Sequence, residues 1–122
     1  MDNRSDNNNR WWDRKYKKLN FLEKLTIFWF RRDLRLQDNK GLYKALTGEN
    51  KVIPIFIFDS EIISRLKKND ARLTFIHNAL IDMNKILRRK NCEIGLYFGS
   101  PKDIIKELII QFPIENVVTN HD

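Results

Sequence analysis

Four short apolar runs alternate with stretches of helical periodicity, and this alternation leaves the chain few folds to choose from. The runs are LTIFWF (25–30), VIPIFIFD (52–59), EIGLYF (93–98) and ENVVTN (115–120). Continuous apolar runs of this length read as strands buried on both faces, as in a parallel sheet. After the first run, Asp38 or Asn39 is placed to cap a short helix carrying Leu42, Ala45 and Leu46, with Gly48 just past its end. Asn69 or Asp70 caps a long helix, on which Leu73, Ile76, Ala79, Leu80, Met83, Ile86 and Leu87 form one apolar stripe. Arg88, Arg89 and Lys90 fall in its last turn, where cations suit the negative end of the helix dipole. In GSPKD, Ser100 takes the N-cap, Pro101 the first helical position and Asp103 the place of a capping-box acid. Ile104, Ile105, Leu108, Ile109 and Phe112 then point inward. Pro54 fits poorly, because proline donates no ladder hydrogen bond and belongs at an edge or at a strand's start.

Strand–helix alternation implies right-handed crossovers and helices on both faces of the sheet. The expected fold is α/β, a Rossmann-like doubly wound parallel sheet. Ligands of such sheets lie outside the carboxyl ends of the strands, where the strand order reverses.

Residues 1–24 read as a basic, Asn-rich N-terminal extension to a domain over residues 25–122. Within the extension Trp12, Tyr16, Leu19 and Leu22 recur at helical spacing, as in a short amphipathic helix. The chain's 42% hydrophobic and 32% charged residues suit a folded globular protein. No apolar run approaches the ~20 residues that span a bilayer, and the N-terminus lacks the apolar core of a secretion signal. A cytoplasmic protein without membrane contact is expected. The single cysteine, Cys92, excludes an internal disulfide and reads as a small buried hydrophobe. His77 has no cysteine or second histidine at ligand spacing, so no metal site is expected. The formal charge of +7 is spread along the chain, with seven Lys/Arg against four Asp/Glu in the first 24 residues and sixteen against twelve in the rest. Such a surplus permits contact with polyanions and does not demand it.

The first strand empties into a knot of charge, FWFRRDLRLQDN (28–39), at the end of the sheet where a ligand would lie. Two readings stand beside each other. In one, Asp33 and Asp38 accept from Arg31, Arg32, Arg35 and nearby amides and tie the loop down. In the other, an arginine faces the crevice as a fork donor to a carbonyl, carboxylate or phosphate. No G-x-G-x-x-G fingerprint follows the strand, which argues against a dinucleotide cradled on that helix N-terminus.

FWFRRDLRLQDN closely resembles the opening motif of the DNA photolyase/cryptochrome family, Trp-Phe-Arg-x-Asp-Leu-Arg-x-x-Asp-Asn. The resemblance continues in order through IFIFD (55–59), Arg72 with Phe75, GSP (99–101) and VVTNHD (117–122). It covers about residues 25–122 and leaves the extension outside. In that family the segment is the N-terminal α/β domain, joined by a long linker to a helical domain that holds FAD and receives damaged DNA. Members split pyrimidine dimers with light-excited reduced FAD, or signal in blue light. The α/β domain often holds an antenna chromophore: a folate, a deazaflavin or a flavin.

By position, the resemblance implies an antenna crevice formed by Arg32, Phe56, Ile57, Asp59, Arg72, Asn120 and Asp122. Arg72 has a second reading, as an ion-pair partner of Asp59, and Asp33 with Arg35 read as structural. The family's Asn-x-Asp segment runs on into a further helix and a fifth strand, so this chain is expected to be a fragment of a longer protein. Its partners would then be its own FAD domain and, through that domain, damaged DNA. The parent would be a carbon–carbon lyase, with no catalytic residue in this chain alone. A cryptochrome-type photoreceptor and a stand-alone ligand-binding module are the alternatives, with an unrelated nucleotide-binding domain behind them.

Overall fold

A computed structural model describes residues 23–68 and 70–120. Eight elements follow one another: β1 (Leu25–Phe30), α1 (Lys40–Leu46), β2 (Lys51–Asp59), α2 (Ser60–Ser64), α3 (Ala71–Arg88), β3 (Gly95–Gly99), α4 (Pro101–Gln111) and β4 (Ile114–Val118). The strands form one all-parallel sheet in the order β3-β2-β1-β4. The chain therefore steps outward from β1 to β3, then crosses back to place β4 on the other side of β1. That reversal makes the β1/β4 boundary the topological switch point.

Strand geometry sends alternate residues to opposite faces, and β1 serves two cores in this way. Leu25 and Ile27 join Ile53, Ile55, Ile57, Leu108 and Phe112 beneath α4. Phe28 and Phe30 join Phe56, Leu80, Met83 and Ile94 beneath α1 and α3, with Phe28 set edge-on to Phe30 at 4.8 Å. Each such side chain, taken fully out of water, contributes about 1.5–3 kcal/mol before its ordering entropy is subtracted. The Rossmann-like, doubly wound architecture is thus present.

Details depart from the sequence reading. Pro54 lies inside a central strand, not at an edge or a start. β1 runs beside it, with Phe28 opposite, but β3 pairs with β2 only from Ile55 onward. At Pro54 the β3 side of the strand is still an edge, which is how the missing donor is tolerated. Ser100 takes the N-cap of α4 without any side-chain cap bond, so no capping box forms with Asp103. Asn39 and Asp70 cap α1 and α3 through their side chains. Leu46, Ile86 and Ile109 are exposed, since α1, α3 and α4 bury narrower stripes than their periodicity offers. The strand EIGLYF begins only at Gly95, because Ile94 is held by a side chain: its amide donates to buried Asn84 Oδ1 at 2.9 Å. The short helix α2, capped by Asp59, was not expected. The amphipathic stretch Trp12–Leu22 lies outside the described residues. No described helix is long and apolar enough to cross a membrane.

Candidate functional site at the carboxyl end of the sheet

The loop from β1 to α1 turns twice on its own backbone, Leu34 N–H to Arg32 O (3.0 Å) and Arg35 N–H to Asp33 O (2.9 Å). Asp38 then adopts φ 51°, a left-handed conformation that Asp tolerates better than most residues. Asn39 returns to extended backbone and is buried at 7% exposure. Its Oδ1 accepts from Leu42 N–H (3.0 Å) and from Asn120 Nδ2 (2.7 Å), while its Nδ2 donates to Arg35 O (3.0 Å). Asn120 Oδ1 accepts in turn from Gly41 N–H at 2.8 Å. One residue earlier, Thr119 Oγ1 donates to Trp29 O at 2.8 Å. The switch point between β1 and β4 is therefore laced shut by carboxamide and hydroxyl bonds. A ligand would rest above this lacing, not pass between the strands.

This answers what holds the charged knot. No ion pair ties Asp33 or Asp38 down; the pairs among described residues are Lys51–Glu23, Arg72–Asp70 and Arg88–Glu93. Of the two readings of the knot, the one in which those aspartates accept from the arginines finds no such bond among the described residues, and Asn39, at the motif's end, does the tying. Arg31 stacks over the Trp29 ring at 5.1 Å from its centroid.

The residues anticipated for the crevice separate into groups. Arg32 is exposed in the loop just past β1, Asp59 is half-buried at the end of β2 and Asn120 is half-buried just past β4, so the three share the carboxyl end of the sheet. Asp59 Oδ1 accepts from Glu61 N–H at 3.0 Å and caps α2, leaving its second oxygen for other use. Phe56 and Ile57 are core residues at 5% and 6% exposure, on opposite faces of β2 and below the crevice. Arg72, exposed in the first turn of α3, grips Asp70 with two bonds of 3.0 and 2.9 Å and does not reach Asp59. Those bonds, with the Arg72 amide, hold the Asp70 carboxyl down at about 2 and push the Arg72 guanidinium up. Asp122 lies outside the described residues.

A recess of about 390 Å³ adjoins α1, lined by Leu36, Asp38, Asn39, Lys40 and Tyr43 among others, none of them in the anticipated set. No cluster of three metal-ligating side chains occurs among the described residues. Sequence reasoning missed the parts played by Thr119, Gly41 and the Asn39–Asn120 pair. The available signal was an asparagine at the end of the first loop and another at the end of the last strand, once β1 and β4 are known to be neighbours.

Comparison with known proteins matches residues 26–122 to the family model DNA photolyase. A deoxyribodipyrimidine photo-lyase of Synechococcus is 31% identical over 96 residues, covering 79% of this chain and 20% of its own length. Cryptochrome DASH of Arabidopsis thaliana is 28% identical over 104 residues, covering 80% and 18%. Among solved structures, an archaeal photolyase from Sulfolobus tokodaii with two FAD molecules superposes with a TM-score of 0.66 at 32% identity, over 80% of this chain and 23% of that one. A class III photolyase of Agrobacterium tumefaciens gives 0.69 at 27% identity, over 86% and 21%. The chain spans about one fifth of the length of the curated relatives it matches.

Proposed function

Since the chain belongs to the DNA photolyase family as its N-terminal α/β domain, we propose that it binds an antenna chromophore for a light-driven, FAD-dependent photolyase that repairs pyrimidine dimers. The observation that supports this reading is the position of Arg32, Asp59 and Asn120 at or just past the carboxyl ends of the neighbouring strands β1, β2 and β4. A folate, deazaflavin or flavin has a flat ring system and hydrogen-bonding edges, and two of these groups fit it: Arg32 supplies a charged fork, and Asp59 retains one carboxylate oxygen. Asn120 does not offer its carboxamide outward, since both ends bond within the protein. Its role is to fix the loop that carries Arg32. Bound there, the chromophore would absorb light and pass the energy on; this chain's residues bind and orient it.

Among the three chromophores, a flavin is the first to test, because the 32%-identical Sulfolobus photolyase contains two FAD molecules. FAD at the repair centre, DNA contact and a cytoplasmic setting belong to this proposal as properties of a longer parent. A cryptochrome-type photoreceptor is the second reading, favoured by the 28% identity to cryptochrome DASH. Titrating FAD, a reduced folate and a deazaflavin into the protein, followed by ligand fluorescence, tests the site. One of them is expected to bind saturably. Arg32→Ala should weaken that binding roughly ten- to hundredfold, the worth of one charge-assisted hydrogen bond, with the fold intact. Saturable binding of none, or equal binding by the variant, would refute the assignment.

A further inference from the structure

The recess beside α1 runs the length of that helix, from Leu36 ahead of its first turn to Leu46 in its last. Leu42 forms its floor at 8% exposure, while Tyr43 is 72% exposed and Leu46 61%. Two large side chains this open on a helix of seven residues leave much of its apolar surface without a neighbour. α3 shares this face of the sheet but makes no extended contact with α1. No residue of β4 or α4 lines the recess.

The chain itself delivers an apolar stripe to this place. Glu23 pairs with Lys51 at 3.6 Å, where β2 begins. Leu46 lies at the same amino end of the sheet, just ahead of that strand. The residues before Glu23 therefore join the domain beside the Leu46 end of the recess. Among them Trp12, Tyr16, Leu19 and Leu22 recur at helical spacing, and the family match over residues 26–122 does not include them. We propose that this stretch forms a helix that docks along α1, its stripe covering Leu46, Tyr43 and Leu36. From Leu22 to Trp12 a helix rises about 15 Å. The seven residues of α1 rise about 10 Å and Leu36 carries the recess beyond them, so the two lengths agree. Lys15 flanks the stripe near its Trp12 end and would face the Asp38 carboxylate, which joins no ion pair among the described residues. Direct covalent connection gives the stretch a high effective concentration at the recess, so a modest apolar contact holds it there.

The test places cysteine pairs in the full chain with Cys92→Ser as background. Tyr16→Cys with Tyr43→Cys should form an intramolecular disulfide, under mild oxidation, at least tenfold faster than Tyr16→Cys with Ile81→Cys. Ile81 is also exposed but stands on α3, outside the recess. In the otherwise unaltered chain, trypsin should cut at Lys15, Lys17 and Lys18 at least tenfold more slowly than in Leu46→Asp, whose circular dichroism spectrum should be unchanged. Equal disulfide rates for the two pairs, or equal cleavage of parent and Leu46→Asp, overturns the proposal. So does a disulfide that joins two chains on a non-reducing gel, since the recess would then belong to a second copy.

Discussion

Gly41 is the residue at which the site tolerates least change. A Cβ there would sit 2.5 Å from Asn120 Oδ1 and 3.0 Å from the Phe28 ring, on the side of α1 that faces the lacing. Gly41→Ala is therefore expected to destabilise the protein by about 1–3 kcal/mol, as overpacking does, although alanine is the better helix former. Equal or higher stability in denaturant titration would mean that Asn120 does not hold α1. Asp70 offers a second test, through pH. Its carboxyl sits at about 2 instead of the ordinary 3.8 because Arg72 donates to its ionised form. A depressed folded-state value contributes stability that is present above 3.8 and is lost as pH falls toward about 2. Asp70→Asn keeps a capping oxygen and removes the titration. Thermal melts in acid should therefore fall less steeply for the variant than for the parent; identical pH dependence would show that the pair contributes nothing in solution.

At the scale of elements, the two caps make opposite predictions. Asn39 caps α1 with a buried carboxamide that makes three bonds, so Asn39→Ala should cost about 1–3 kcal/mol. Ser100 caps α4 by position alone, so Ser100→Ala should stay within about 0.5 kcal/mol in the same denaturant titrations. Position and periodicity made these elements legible: four apolar runs became four parallel strands, and the three helices anticipated within residues 25–122 are present. What they could not convey is which part of a helix finds a partner. Ile109 continues the stripe of α4 but overhangs the sheet on the β4 side, where no second helix stands among the described residues. Pro54 misled for a related reason, since its tolerance depends on where β3 begins, which is a property of register between strands. The Asn39–Asn120 bond joins residues 81 positions apart, and only the placement of β4 beside β1 brings them together.

Considered whole, the molecule is a switch-point sheet whose reversal is sealed by side chains and whose candidate ligand groups stand above the seal. Of the crevice residues implied by family resemblance, Phe56 and Ile57 are buried in the two cores on opposite faces of β2, while Arg32 and Asp59 are more exposed. Under the proposed function, Arg32 and Asp59 are the side chains that would touch the chromophore. The most direct test of that account follows backbone amide shifts by nuclear magnetic resonance while the tightest-binding chromophore is titrated in. The account predicts that Arg32, Asp59 and Asn120 move together, while Asn50 and Glu115 at the opposite end of the sheet stay still. Shifts confined to α4, or to the amino ends of the strands, would place the ligand elsewhere and contradict it.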